Sequence, residues 1–303
     1  MNKVIITGAD GFVGSNTVQY FLSQGVEVLA LDIREKPRCL QICDGLTYKQ
    51  CDISNIESMI DIVHHDYYDT FIHFAWAGSS GSERKDYNLQ IENALNTVEC
   101  MKVAKKLGCS RFVCAGSIME YEVETVIHAQ GSKPGMNYIY GMGKHIAHCM
   151  CKSVAVEIGI ELIWPVITNA YGIGELSPRF VNTTLRKIIN GETLQFTSAI
   201  QNYDFVYITD VAKAIYLIAK NGKPFYEYII GSGNARPLKE FILEMQRECA
   251  PYAVPFFGDI PFTGIDMPLS TFDTSITEKE CYFKAEVSFA EGTRKTMEWL
   301  KTL

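Results

Sequence analysis

At 303 residues, with 47% hydrophobic content, the chain has ample apolar material for one large or two smaller packed domains. Its 28 basic against 35 acidic residues leave a formal charge of −7 with no basic block, which argues against a general nucleic-acid binder. No apolar stretch reaches the length of a membrane span, and the 10 cysteines are scattered, mostly in apolar runs, so reduced thiols in a cytoplasmic protein are expected.

Val4-Ile5-Ile6 is a short apolar run that starts almost at Met1, so no secretory leader is expected. Thr7-Gly8-Ala9-Asp10-Gly11-Phe12-Val13-Gly14 follows and passes directly into a helical pattern. A strand feeding a helix through such a turn is a candidate dinucleotide site. Gly8 allows the tight turn, Gly11 lets the backbone approach a pyrophosphate, and Gly14 lets the helix pack on the strand. The helix N-terminus adds unpaired N–H groups and a favourable dipole. Glu27 to Leu31 reads as the second strand and ends on Asp32, an acid placed for a ribose diol roughly 20 residues after the glycines. Asp32 repels a 2′-phosphate and favours NAD, while Arg34, Lys36 and Arg38 close behind keep NADP open.

Leu46 to Cys51 predicts a strand closing on Asp52, and Asn55 to His64 a helix capped by Ser54. Thr70 to Phe74 is another strand, running into a small-residue loop, Ala75 to Ser82, that holds Trp76 and Ser79. A long helix spans about Tyr87 to Leu107 and stops at Gly108. Arg111 to Ala115 is a fifth strand, followed by Gly116 and Ser117. A helix from about Tyr140 to Ile158 ends at Gly159, and Ile160 to Val166 is a sixth strand. This alternation argues for an α/β fold of Rossmann type, a parallel sheet with helices on both faces, over residues 1–168.

Beyond that the rhythm changes. Pro178 to Ile189 is helical and Gly191 ends it, Leu194 to Thr197 and Asp204 to Tyr207 are short extended segments, and Asp210 to Lys220 is a helix. Phe225 to Ile230 is a further strand, Pro237-Leu238 opens a helix to about Cys249, residues 251–275 read as loop, and Ala290 to Leu300 is a terminal helix. Residues 169–303 are expected to form a smaller C-terminal substrate lobe, with about 204–230 returning to the first domain.

Tyr140 and Lys144 are four apart and share one helix face. A lysine ammonium beside a tyrosine favours the phenolate. Ser117 ends a strand at the carboxyl edge of the sheet, where ligands lie in such folds. Together they compose a proton-transfer set: Tyr140 exchanges the proton, Lys144 supports it and holds a ribose, and Ser117 bonds the reacting oxygen. On the residues alone, the same spacing also describes an ordinary helix face. His145, His148, Cys149 and Cys151 follow on that helix, but only His145 and Cys149 share a face, so no metal is expected. His73, in an apolar strand, is expected to be hydrogen-bonded in the core or near the cofactor.

Over essentially its whole length the chain resembles the extended short-chain dehydrogenase/reductase family, in its sugar-nucleotide epimerase/dehydratase branch. Thr7-Gly8-x-x-Gly11-x-x-Gly14 is similar to that family's cofactor turn, Asp52-Ile53 to its adenine-contacting pair, and Phe74-Ala75-Trp76 to the segment beneath the cofactor. Ser117-x-x-x-Tyr121 and Tyr140-x-x-x-Lys144 resemble its catalytic stretches. Asn169-Ala170-Tyr171-Gly172 resembles the marker that opens the substrate lobe, and Asp204 to Val211 the late marker. The resemblance implies catalysis by Ser117, Tyr140 and Lys144. It implies NAD held by Gly8, Gly11, Phe12, Val13, Gly14, Asp32, Asp52, Ile53, Phe74, Ala75, Trp76 and Lys144, and substrate contacts from Ser79, Asn169, Arg179 and Tyr203. The implied substrate is a nucleoside-diphosphate sugar. The helices at 88–107 and 142–158 resemble the family's homodimer surfaces, although a face buried within one subunit would look the same.

The departures bear on the reaction. Ile118 and Met119 stand where dehydratases carry an Asp-Glu pair, so dehydration is not expected. Tyr203 replaces an arginine that grips the substrate diphosphate, and the second arginine of that clamp has no equivalent around Ile265 to Thr271. Arg179, with Arg236 behind it, is the candidate replacement, its alternative being a solvated surface residue. Trp76 either narrows the nicotinamide side or fills a core gap. The implied function is an NAD-dependent epimerase acting at a sugar carbon. A keto-sugar reductase and a non-catalytic dinucleotide sensor are the alternatives.

Overall fold

The computed structural model describes residues 1–55, 58–63, 67–262 and 264–303. Alternation along the first strand sets the layers. In β1 (Lys3–Thr7) the side chains of Val4 and Ile6 enter one core and that of Ile5 the other, all fully buried. The chain continues through α1 (Phe12–Ser23), β2 (Glu27–Asp32), β3 (Leu46–Gln50), α2 (Ser58–Val63) and β4 (Thr70–His73). It then runs through α3 (Tyr87–Lys106), β5 (Arg111–Cys114), β6 (Gly116–Ser117), α4 (Met119–His128), α5 (Ile139–Ile158) and β7 (Glu161–Ile167).

The second half begins with β8 (Asn169–Tyr171), α6 (Phe180–Ile189), β9 (Gln195–Phe196), β10 (Asn202–Tyr203), β11 (Phe205–Tyr207) and α7 (Ile208–Asn221). It closes with β12 (Glu227–Ile230), β13 (Arg236–Pro237), α8 (Leu238–Cys249), β14 (Phe256–Phe257), α9 (Ser275–Cys281) and α10 (Phe289–Leu300).

The main sheet runs β3-β2-β1-β4-β5-β7-β12, with β6 also paired to β7, and these pairings are parallel. Helices α1 and α7 cover one face through Phe21, Val211 and Ile215, and α3 and α5 cover the other through Met101 and Ala147. A parallel sheet needs both faces covered because its strands are apolar on both sides. The strand order reverses beside β1, between β2 and β4, which opens a crevice at the carboxyl ends of β1 and β4. After β11 the chain re-enters the large layer, since α7 packs on α1 and β12 pairs with β7.

Local signals account for most boundaries. Asp86 caps α3 by accepting the Asn88 and Leu89 N–H groups at 3.0 and 3.2 Å, and Lys105 and Lys106 complement the helix dipole at the far end. Gly159 ends α5 in the left-handed conformation. The expected helix from Asn55 to His64 requires correction. Its residues 56, 57 and 64 lie outside the described residues, and α2 covers Ser58–Val63. Ser54 is not a helix cap: it sits inside a short 3-10 turn, Ile53–Asn55, where its own N–H donates to Asp52 Oδ1 at 2.9 Å. Among the described residues, two helices had no counterpart in the sequence pattern, α4 and the short α9. The cysteines are free thiols, with Cys51, Cys100 and Cys114 buried as their apolar surroundings imply. Among the described residues no helix is long and apolar enough to cross a membrane.

His73 is a core histidine that fastens three elements. Its Nδ1 lies 2.8 Å from Thr7 Oγ1 on β1 and its Nε2 3.2 Å from Thr97 Oγ1 on α3. Burial, with the Lys144 ammonium second, holds its pKa down at about 3. The unfolded chain therefore binds a proton near the ordinary value of about 6.5 that the native state refuses. Native stability from this site is present above pH ~6.5 and lost as the pH falls toward 3. Denaturant unfolding across that window should reveal uptake of close to one proton that is absent in His73→Gln. An unchanged slope in the variant would contradict a neutral core imidazole.

Candidate active site

The crevice is a cleft of about 530 Å³ along the carboxyl edge of β1, β2 and β4. Its floor is the turn after β1. Gly8 has φ +65°, and a Cβ there would lie 2.6 Å from the Ala75 nitrogen; a Cβ on Gly14 would lie 2.1 Å from Gly8 O. Only glycine lets these backbones meet, and the contact leaves the start of α1 facing the cleft with Gly11, Phe12, Val13 and Gly14 on its wall.

Asp32 closes the next part. Its Oδ2 accepts the Asp10 N–H at 3.0 Å, and its Oδ1 accepts Arg34 N–H at 3.2 Å and Arg34 Nη1–H at 3.1 Å. Arg34 also lies 3.6 Å from Asp10 Oδ2, so this guanidinium is already shared by two carboxylates. Asp10 in turn accepts the backbone N–H groups of Arg38, Cys39 and Leu40 at 2.9, 2.7 and 3.2 Å, which pins the basic segment by its backbone. Asp52 and Ile53 line the far end.

Phe74, Ala75 and Trp76 form the wall opposite α1, and Ser79 lies beyond them on the lining. Asn93 fixes that loop by accepting the Ala77 N–H at 3.0 Å and donating to Ala77 O at 2.8 Å. The Trp76 indole donates to Gln90 Oε1 at 2.7 Å. Its ring stands edge-on to Tyr140 with centroids 6.2 Å apart, and the Lys144 ammonium lies 3.8 Å over its face. Lys144 also donates to Ala115 O at 2.9 Å. Ser117, Tyr140 and Lys144, brought from β6 and α5, share the cleft lining with this indole. Trp76 is thus part of the cleft wall and also packs against the core behind it.

Near Tyr140, off the cleft lining, stand charges that sequence reasoning missed. Arg84, in the turn before α3, places its guanidinium 4.3 Å from the centroid of the Tyr140 ring. Burial lowers its pKa and Tyr140 opposes that shift; Arg179, Glu122 and Tyr203 act more weakly on the same charge. Burial also pushes the Glu122 carboxyl on α4 up to about 7, with Arg84 pulling it down, and the Tyr203 phenol up to about 12. No spacing or periodicity marks Arg84, and α4, which carries Glu122, was not foreseen. Arg179 lines the cleft as the residue before α6, its Nε 3.1 Å from Glu175 Oε2. Asn169 lies off the lining and donates to Asp204 O at 3.0 Å, tying β8 to the residue that precedes β11. Tyr203 stacks on Phe205 at 5.6 Å, also off the lining. Arg236 is engaged by Glu244 and the face of Phe241. On α5, His145 Nε2 contacts Cys149 Sγ at 3.6 Å whereas Cys151 is buried, and among the described residues no group of three or more such side chains could hold a metal ion.

The fold and the cleft define a Rossmann-type dinucleotide-binding protein with a tyrosine–lysine pair at the reactive end. The family described as NAD dependent epimerase/dehydratase matches residues 4–231, and the chain belongs to it. It is therefore an NAD-dependent enzyme of that family. Among curated relatives it is 25% identical over 275 residues to the UDP-glucose 4-epimerase of Halalkalibacterium halodurans, covering 83% of this chain and 81% of that one. It is 24% identical over 273 residues to the dTDP-4-dehydro-6-deoxyglucose reductase of Escherichia coli, covering 85% of each. The fold matches the Bordetella bronchiseptica enzyme WbmF, solved with NAD+, at a TM-score of 0.78 and 21% identity over 99% of this chain and 93% of that one.

NAD fits this cleft: the glycine turn leaves room for a pyrophosphate against N–H groups, and two neighbouring carboxylates disfavour any added phosphate near Asp32. Stripped protein titrated with both reduced dinucleotides, followed by fluorescence, should bind NADH at least ~10-fold more tightly than NADPH, about 1.4 kcal/mol. Equal affinities would show that Arg34 leaves Asp32 for the 2′-phosphate.

Proposed function

We propose that the protein is a sugar-nucleotide epimerase that works by proton and hydride transfer at one sugar carbon, without loss of water. The observation that carries this reading is the company Ser117, Tyr140 and Lys144 keep in the cleft. They provide for proton exchange, while the two positions after Ser117 provide no acid. Ile118 is buried against Met267 and Phe272, Met119 begins α4, and Glu120 is turned onto Trp164 and His148.

Tyr140 takes the proton of a sugar hydroxyl at its phenol oxygen and returns it at the end of the cycle. Lys144 holds a positive charge beside it, and Ser117 donates a hydrogen bond to the reacting oxygen. When bound, NAD supplies the acceptor and donor of hydride for the adjacent carbon. Gly8, Gly11 and the start of α1 hold its pyrophosphate, Asp32 its adenosine ribose, Asp52 and Ile53 its adenine, and Trp76 and Lys144 the nicotinamide end. Ser79 and Arg179 are the cleft groups for the substrate, and Arg84 is a second cation for a diphosphate that has lost its usual arginine at Tyr203. The names of the two curated relatives support a nucleoside-diphosphate sugar, and a reductase is the second reading, since one-way reduction of a 4-keto sugar would use the same residues.

The outer faces of α3 and α5 expose Ile91, Leu95, Ile146 and Met150, and this supports a two-fold homodimer through those helices. Light scattering at micromolar concentration should return twice the chain mass, and a monomer would refute the pairing.

The chemistry is tested by a panel of UDP-, dTDP-, GDP- and CDP-sugars. Isomer should form with no net change in absorbance at 340 nm, and Tyr140→Phe should slow it by roughly 10² or more with NADH affinity nearly intact. Stoichiometric NADH consumption with a 4-keto sugar would replace the epimerase by the reductase. Release of a dehydrated keto-deoxy sugar would overturn both.

A further inference from the structure

Ser117 is followed three positions later by Glu120, and the two residues contact each other reciprocally at the start of α4. Glu120 Oε1 accepts the Ser117 N–H at 2.7 Å, and Ser117 Oγ accepts the Met119 N–H at 3.3 Å. This resembles an S-x-x-E capping box displaced by one residue, with Ile118 as the N-cap: the hydroxyl satisfies a first-turn N–H and the acid reaches back to the amide of the hydroxyl residue. The hydroxyl concerned belongs to the serine of the proton-transfer set.

Glu120 is only 4% exposed, so its charge needs partners. Trp164 Nε1 on β7 donates to both carboxylate oxygens at 3.2 Å, and His148 Nδ1 on α5 lies 3.2 Å from Oε2. The imidazole lies flat on the indole, with centroids 4.3 Å apart and 4° between planes, and its Nε2 faces Glu227 Oε1 at 3.7 Å. Space is equally constrained, because a Cβ on Gly116 would fall 2.3 Å from Trp164 Nε1 and 2.8 Å from Glu120 Oε1. The backbone at Ser117 is thereby clamped between β7 on one side and a braced carboxylate on the other. With Ser117 Oγ already accepting from Met119, its proton is left to donate, and Ser117 lines the cleft beside Tyr140.

We infer that Glu120 is the positioning residue for Ser117: braced by Trp164 and His148, its carboxylate fixes the serine backbone so that the hydroxyl donates into the cleft. The inference rests on the reading of Ser117 as the group that bonds the reacting oxygen. It is tested on the full chain with Glu120→Ala, Glu120→Gln and Ser117→Ala. Amide exchange by NMR reports the clamp without any substrate. In Glu120→Ala the Ser117 amide should exchange at least ~10-fold faster while β1 amides keep their protection. On the nucleotide sugar that the wild type turns over, kcat should fall by roughly 10- to 100-fold, the scale of a small misplacement, with KM and NADH affinity within about twofold. Glu120→Gln, which keeps an oxygen for the Ser117 N–H, should recover most of both losses. Should the alanine variant not fold, His148→Gln must show the same changes in smaller measure. Unchanged Ser117 exchange in Glu120→Ala, or unchanged kcat there while Ser117→Ala is impaired, would overturn the inference. A fully active Ser117→Ala would instead overturn the role of Ser117 itself, and the exchange data would separate that failure from a failure of the clamp.

Discussion

Three backbones meet within contact distance at the carboxyl edge of the sheet, and the cleft exists only because they can. The strand exit at Gly8, the helix start at Gly14 and the loop at Ala75 leave no room for a Cβ on either glycine, since the atoms met are backbone and not the ends of flexible side chains. A side chain at Gly14 would push α1 from β1, and one at Gly8 would push away the segment that carries Trp76. The same turn contributes Asp10, whose carboxylate holds the segment after β2 by three backbone N–H groups. Position of the start of α1, Asp32 and the indole wall is therefore one constraint, set by close packing of main chain.

Many of the acids that make the chain net negative are spent inside in the same way. Asp204 accepts from Ser232 N–H at 2.8 Å and Thr168 Oγ1–H at 3.1 Å, and Asp210 from Glu286 and Val287 N–H at 3.1 and 2.9 Å. Hydrogen bonds to a charged group contribute about 1.5–3 kcal/mol each, and a buried donor left without its acceptor costs a comparable amount. The late marker thus fastens the returning strand and α7 to the rest of the fold, away from the cleft lining. Arg84 and Glu122 differ from these groups. Among the described residues neither has an acid or base within ion-pair distance, and both stand near Tyr140 and Tyr203. Half-buried charges without an ion-pair partner cost free energy in the free protein, and the Arg84 guanidinium is faced by the Tyr140 ring.

The dinucleotide half of the site was legible because its chemistry is carried by short-range spacing: the three glycines, the acid ending the second strand, and the Tyr140–Lys144 pair one helical turn apart. The substrate half was not. Arg84 lies in a polar turn whose composition resembles any surface loop, and only the folding of that turn over α5 brings it to Tyr140. Glu122 depends on α4, a helix that the sequence reading did not include. Asn169 was assigned by its place in a marker, yet its amide holds the Asp204 carbonyl. The Ser-x-x-Glu pattern at 117–120 was visible as residues, but its meaning required the helix that it begins.

Sequence alone determined the class of the fold, the order of its parallel strands through the first half, and the glycines and acid that line the cleft. Those follow from the periods of buried side chains and from glycine's lack of a Cβ, which act over a few residues and leave their mark in the letters. Tertiary structure decided which charges reach the reacting group. It set Arg34 on Asp10, the Trp76 face under Lys144, the Arg84 guanidinium over Tyr140, and Trp164 and His148 around Glu120. Each of these joins residues from different elements, and their meeting depends on packing distances of a few ångström that no local pattern encodes.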